Sequence, residues 1–370
     1  MIYVSCRFIL LHRLENDILK TIILTLLVFG LIIVLHEFGH FIFAKLFKVR
    51  VNEFSFGMGP KIFGKRKGET LYSIRAFPIG GYVSMEGEDD AGAAGTKPQV
   101  SDIPQGDSGS VNEKPVWQRF IIFSAGAVMN LLLGLVILTV ITANMDLLGT
   151  NIVASFRDDS VTSQYLKTED RIVSVNGHRT ASYNDVIFQI LRDEDGQIDL
   201  TVVRDKQKQT LSVPFRTISN ENGGMNIDLD FMFYGVKGSF STVVPYAVNW
   251  TVSVVKQVWF SLVDIVTGRY GLNDISGPVG TAEIIGEVSS QGMDSFFMLI
   301  AFITINVGVF NLLPIPALDG GRILFLIIEG IFRKPVPQKY EGIIHAIGFM
   351  LLILLIIVVT FNDILKLVTG

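Results

Sequence analysis

His36-Glu37-Phe38-Gly39-His40 places two imidazoles and a carboxylate within five residues. On a helix, residues four apart are neighbours, so His36 and His40 share one face. Two neutral imidazoles at that spacing grip Zn2+, and the Glu between them can serve as a base toward a water. From Ile18 to Phe47 the only charged residues are Lys20, Glu37 and Lys45. Placing Glu and His in hydrocarbon is costly, so these groups must face a protein interior or a wet cavity. The chemistry implied is zinc-dependent hydrolysis inside a bilayer.

A catalytic zinc takes three protein ligands and leaves one position for water. The run Asn311-Leu312-Leu313-Pro314-Ile315-Pro316-Ala317-Leu318-Asp319-Gly320-Gly321-Arg322 offers a third ligand. Two prolines break a helix there, Asp319 sits just beyond them, and Gly320 and Gly321 let the backbone turn sharply. Asp319 is the best candidate. The other reading is an Asp that caps a helix at the membrane surface.

The elements that must position these groups are membrane spans. The 370 residues are 49% hydrophobic and only 18% charged, which is a membrane composition with soluble mass attached. The formal net charge of −4 gives no reason to expect a nucleic-acid partner. A single cysteine, Cys6, excludes an intrachain disulfide. Spans are expected at about Ile18–Phe47, Phe120–Ile141, Phe296–Leu318 and Ile343–Phe361. Val243–Val266 is interrupted by Pro245, Asn249, Lys256 and Asp264, and reads as an amphipathic helix on the membrane surface rather than a span.

Lys and Arg crowd the connections between spans one and two and between spans three and four, which makes both connections cytoplasmic. The region between spans two and three is then extracytoplasmic, as are both termini. On this layout the first and third spans both run inward. Asp319 and the two histidines fall in their inner parts, at similar depth.

The organisation expected is an N-terminal extension (1–17), a first transmembrane helix (18–47), a β segment with a linker (48–116) and a second helix (117–145). An extracytoplasmic domain (146–235), an amphipathic region (236–292), a third helix (293–322), a cytoplasmic loop (323–342) and a fourth helix (343–370) complete it. Within 51–85, FSFGMGPKIF, ETLYSIRAF and PIGGYVSM read as short strands between Gly-rich turns. Residues 92–109 read as a flexible linker. In the outer domain, strands are expected at Asp170–Gly177, Ile198–Arg204 and Thr210–Phe215, with a helix at Tyr183–Leu191. His178 reads as a loop residue and His345 as a packed residue of the fourth span, neither with a zinc role.

HEFGH in the first span and NLLPIPALDGG in the third fit the HExxH and NxxPxPxLDG patterns of the site-2 protease family. FSFGMGP, FPIGGYVSM and SAGAVMNLLLG match further family segments in order. The chain resembles the bacterial branch of regulator-of-sigma-factor proteases along nearly its whole length. The fold implied is a membrane α-helical protein of four transmembrane helices, with a membrane-reentrant β-hairpin-like segment and an α+β PDZ-like domain. An ordinary cytoplasmic hairpin is the other reading of the β segment.

The resemblance implies an intramembrane zinc metalloprotease of the bacterial cell membrane. It would cut single-span membrane proteins, such as anti-sigma factors and signal-peptide remnants, after an upstream site-1 protease has acted on the same substrate. It implies zinc held by His36, His40 and Asp319, with Glu37 as general acid/base. Asn311 would contact the substrate backbone or the tetrahedral intermediate. Asn306 and Asn130 match family asparagines, Asn306 being assigned to substrate binding. A helical substrate must be unwound to be cut, and strand addition to the β segment at Gly80, Gly81, Tyr82 and Val83 would hold it extended. In the PDZ-like domain, Lys167-Thr168-Glu169 replaces the usual Pro-Gly turn, which argues against a standard carboxylate pocket. That domain binds peptides or filters by size. A catalytically silent scaffold and a zinc hydrolase of lipid-linked substrates are the competing functions.

Overall fold

The structure is a computed structural model and describes residues 2–88, 109–193, 195–219, 225–269, 271 and 275–369. The expected linker falls largely outside these residues. In chain order the elements begin with α1 (Ile2–Leu46), β1 (Val51–Lys67), β2 (Thr70–Met85), α2 (Val116–Ala143), β3 (Leu147–Phe156), β4 (Arg171–Val175) and β5 (His178–Arg179). Then come α3 (Tyr183–Leu191), β6 (Gln197–Arg204), β7 (Gln207–Pro214), β8 (Arg216–Ser219), β9 (Met225–Asp228) and β10 (Phe231–Lys237). The chain ends with α4 (Phe240–Val266), α5 (Pro278–Ser290), α6 (Met293–Leu312), α7 (Asp319–Phe332) and α8 (Gln338–Thr369). Two compact units form, one from Met1–Gly134 with Leu262–Gly370 and one from Leu135–Ser261.

In the first unit, α1 turns a narrow stripe inward: Val28, Ile32, His36, His40 and Ala44 are buried at steps of four. The stripe meets α2 through small residues, which let helix backbones approach closely. A Cβ on Gly39 would come within 2.4 Å of the Ala125 carbonyl oxygen. On its other face α2 meets α6, where a Cβ on Gly134 would strike Ile305 at 2.3 Å and Thr304 donates to the Asn130 carbonyl at 3.2 Å. Among the described residues, four stretches are long and apolar enough to cross a membrane: Ile18–Leu46, Val116–Ala143, Met293–Leu312 and Lys339–Val368.

β1 and β2 are longer than the three short strands expected and fold on themselves. Residues 53–56 pair with 81–84 on one side and with 71–74 on the other, while 61–67 pair with 70–75. The sheet lies along α1. Lys45 pairs with Glu69 at 2.5 Å, Phe41 packs against the Phe54 and Tyr72 rings, and the Pro78 carbonyl lies 3.4 Å from a Cβ placed on Gly30. Lys45 to Gly30 spans about 22 Å of helix at 1.5 Å per residue.

Several boundaries differ from the sequence expectation. α1 is one helix from Ile2, so residues 2–17 continue the helix of the first span instead of preceding it as a separate piece. The third span does not reach Leu318 as a helix: α6 stops at Leu312, because prolines 314 and 316 cannot donate to its carbonyls. Residues 323–342, read as a loop, carry most of α7 and the start of α8. The amphipathic region 236–292 holds two separate helices, and Gly277-Pro278 starts the second of them, α5, with Pro at the first turn.

The second unit has a conventional apolar core. Its main sheet runs β10-β3-β4-β6-β7, with β5 paired to β4 and a separate β8-β9 hairpin. Ile172, Val175, Val186, Ile190, Ile198, Leu200 and Val202 are fully buried in it. Asn176 and Gly177 take positive φ and turn the chain after β4. The helix expected at Tyr183–Leu191 is α3, started by Ser182, whose hydroxyl accepts the Asp185 N–H at 3.1 Å. α4 packs along α3: Ser253 meets Ser182 at 2.7 Å, Lys256 meets Asp185 at 3.0 Å, and the Phe260 ring sits 4.7 Å from the Arg192 guanidinium. His178 is in strand β5, not a free loop, with its ring 5.0 Å from Phe260.

Candidate active site

α1 aims both imidazoles at one point because its inward stripe repeats every four residues. The His36 and His40 Nε2 atoms lie 3.2 Å apart. Asp319 Oδ2 joins them at 3.0 Å from His36 and 3.3 Å from His40. Asp319 is the first residue of α7, so it follows the α6–α7 break directly. Leu318 holds the cap position, and the carboxylate is turned to the histidines, not to the helix end. The glycines after it serve contact more than turning. They are helical, and a Cβ on Gly320 would fall 2.0 Å from the Leu313 carbonyl, one on Gly321 2.6 Å from that of Ile315.

Each imidazole has its second nitrogen engaged. His40 Nδ1 donates to the Ile122 carbonyl at 2.8 Å, which leaves the Nε2 lone pair turned toward His36 and Asp319. His36 Nδ1 lies 3.3 Å from the side-chain amide nitrogen of Asn130, which is fully buried. With Nε2 as ligand, His36 Nδ1 carries a proton and needs an acceptor. A half-turn of the Asn130 amide supplies one, since its Oδ1 is buried without a hydrogen bond.

The donor set fits zinc. A tetrahedral ion with bonds of about 2.0–2.1 Å holds its ligand atoms about 3.3 Å apart, close to the three separations found. Asp319 Oδ2 is buried and accepts no hydrogen bond, so two imidazole nitrogens and an unsatisfied carboxylate oxygen converge on one point. A Cβ on Gly126 would lie 2.4 Å from His40 Nε2 and 2.7 Å from His36 Nε2, so glycine at that place keeps the point open. Among the described residues, this is the one cluster of His, Cys, Asp and Glu able to hold a metal.

The profile of peptidase family M50 matches residues 24–355. The chain belongs to peptidase family M50. It is 31% identical over 424 aligned positions to the Regulator of sigma-W protease RasP of Bacillus subtilis, covering 94% of this chain and 99% of that one. The Zinc metalloprotease RasP of Bacillus licheniformis is 30% identical, with 94% and 100% covered. A Fusobacterium nucleatum protein whose name includes the words zinc metalloprotease is 35% identical, with 94% and 99% covered. The peptidase is thus a zinc-dependent metalloendopeptidase of the site-2 type, a bacterial membrane protein that acts on membrane protein substrates.

The remaining predicted residues divide. Glu37 accepts the Val83 N–H at 3.1 Å, and Gly81 lies against it, a Cβ there being 3.6 Å from Glu37 Cγ. Gly80 has φ +90°, which favours glycine. The side chain of Tyr82 turns into the sheet, where its hydroxyl donates to Glu53 at 2.5 Å. Asn306 and Asn311 lie on α6, both half-buried, and neither side chain is hydrogen-bonded to the three converging groups. Sequence reasoning missed the Ile122 carbonyl and the Gly126 cradle. The small-residue run SAGAVMN was the available signal, because only a helix that must approach closely needs it.

Proposed function

We propose that His36, His40 and Asp319 hold the zinc of this peptidase and that Glu37 is its general acid/base. The convergence of three ligand atoms at 3.0–3.3 Å carries the reading. Bound there, zinc would supply a Lewis acid for the water and the scissile carbonyl. Glu37 would accept a proton from the attacking water and return it to the leaving amine. Asn130 and the Ile122 carbonyl hold the imidazoles in the ligating tautomer. Asn311 donates to the developing oxyanion or to the substrate backbone.

Residues 81–85 bind the substrate as an added strand, and this edge runs beside Glu37. The Val83 and Met85 N–H groups point away from residues 53–56 and are accepted by the side chains of Glu37 and Glu88, at 3.1 and 3.3 Å, so no strand covers them. The sheet enters the bilayer with α1. Its contact with that helix as deep as Gly30, and its exposed Phe56, Met58, Ile62, Phe63, Ile74 and Phe77, support this over a hairpin in water.

Substrates are single-span membrane proteins of the anti-sigma-factor or signal-peptide class, first shortened by another protease. The PDZ-like unit lies outside the cell and admits them by size. Support comes from α4, which occupies the α3 face carrying Ser182, Asp185 and Arg192. The Lys and Arg distribution supports the topology. Cysteines placed singly at 95 and 196 in a Cys6→Ser background should react with an impermeant reagent on whole cells at 196 only; labelling at 95 alone would reverse the orientation. In proteoliposomes, wild-type protein should cut a single-span substrate lacking its outer domain, and Glu37→Gln should bind it uncut. Turnover by that variant would remove Glu37 from the mechanism.

A further inference from the structure

α8 lies against the α6–α7 break that carries Asp319. Gly348 forms a notch for Pro316: a Cβ there would sit 2.4 Å from the Pro316 Cβ and 2.8 Å from its carbonyl oxygen. Three residues earlier, on the same face of α8, His345 accepts the Ala317 N–H on Nδ1 at 2.9 Å. Its ring packs against Phe325 of α7, with 5.7 Å between centroids. Nε2 is buried and makes no hydrogen bond with the described residues. A ring that accepts at Nδ1 is neutral and carries its proton on Nε2.

Ala317 is held at φ +75°. A residue with a Cβ enters this left-handed region at a cost and stays there only when its surroundings over-determine it. The strained residue stands two positions before Asp319. On the far side of the break, Gly320 and Gly321 press against the Leu313 and Ile315 carbonyls. The break is therefore gripped from α7 by backbone contact and from α8 by one hydrogen bond and one notch. Of these grips, only the His345 bond is directional toward the strained residue.

We propose that His345 is a positioning residue for Asp319: by accepting the Ala317 N–H it fixes the break in the conformation that aims the carboxylate at His36 and His40. It touches neither metal ligand nor substrate, and acts through the backbone of Ala317. The proposal rests on the reading of Asp319 as a zinc ligand. It also accounts for a polar ring kept in a span with half its hydrogen-bonding capacity unused, where an apolar residue would pack at lower cost.

The test uses the full chain purified in detergent and reads zinc affinity by competition with a chelator, together with the visible spectrum of the cobalt-substituted protein. Asn presents an amide oxygen near the place of Nδ1, whereas the Gln oxygen reaches toward Nε2. His345→Ala and His345→Gln should lose about 10- to 100-fold in zinc affinity, the range found when groups supporting a ligand are removed, with altered cobalt bands. His345→Asn should stay close to wild type in both. An Asn variant as weak as the Ala variant would reduce His345 to packing, and three variants equal to wild type would remove it altogether. Asp319→Ala is the companion: loss of zinc there with an unchanged His345 series sinks the positioning role alone, while unchanged affinity in Asp319→Ala sinks the ligand assignment as well.

Discussion

Asp170 and Asp230 of the β-rich unit and Asp319 of the membrane unit hold carboxylate oxygens out of solvent in opposite settings. In the β-rich unit, Asp170 accepts from the Lys167 N–H at 2.8 Å and from two Arg204 nitrogens at 2.8 and 2.7 Å. Asp230 accepts from the Val161 and Thr162 amides and the Thr162 hydroxyl at 2.7, 3.1 and 2.5 Å. Their lone pairs are filled by hydrogen-bond donors, and they tie loops to a sheet. In the membrane unit, Asp319 Oδ2 accepts no hydrogen bond and faces two imidazole nitrogens instead. A buried acid whose donors are all present is part of the scaffold. One left without hydrogen-bond donors beside two imidazole nitrogens is poised for a cation.

Breaking the contrast at the catalytic end should have the largest effect. Glu37→Gln should lower peptide hydrolysis by about 10²- to 10⁴-fold, measured on a reconstituted substrate, while zinc content stays at wild-type level. Parallel loss of zinc would mean that Glu37 holds the site together and is not simply its base.

The scaffold acids should show the reverse pattern. Asp170→Ala leaves Arg204 without its partner and should destabilise the β-rich unit by about 3 kcal/mol, the lower end for broken buried pairs because Arg204 keeps some exposure. Hydrogen exchange of β6 amides in the full chain would read this, and zinc content should not change. Zinc loss in Asp170→Ala would erase the distinction between the two kinds of acid.

The substrate edge offers an intermediate effect. Val83→Pro and Met85→Pro remove the outward amides and should slow cleavage with zinc retained. Tyr82→Pro and Ser84→Pro strike the opposite side of the strand and should perturb the sheet itself. Cleavage indifferent to loss of the outward amides would exclude strand addition.

The smallest effect concerns pH. Burial pushes the Asp230 carboxyl up, but the Thr162 hydroxyl and the Thr162 and Val161 amides outweigh it and hold it below its ordinary value. A depressed folded pKa contributes stability above the unfolded value of about 3.9, and that contribution is lost as pH falls through the folded value. Protection of the β-rich unit should therefore fall below about pH 4, and less steeply in Asp230→Asn. Equal slopes in the two proteins would contradict the assignment.

Much of the site was legible because its parts are local in sequence. Spacing alone puts His36 and His40 on one face, and the prolines before Asp319 mark where a span must open. What was not legible depends on contacts between distant elements. The Val83 amide meets Glu37 across 46 positions, Asn130 meets His36 across 94, and Ala317 meets His345 across 28. Apolarity also misplaced the end of the third span. Leu313 to Leu318 is as apolar as a helix requires, but hydropathy does not register that Pro314 and Pro316 have no amide to donate. The left-handed Ala317 left no trace in the sequence, because glycine is the usual residue there.

The most direct test of the central claim is zinc content, by metal analysis, of wild-type protein and Asp319→Ala purified side by side. The geometry predicts about one zinc per chain in wild type, as a single three-ligand site requires, and a clear loss in the variant. Full zinc occupancy in Asp319→Ala would contradict it, and would return Asp319 to the ranks of the scaffold acids.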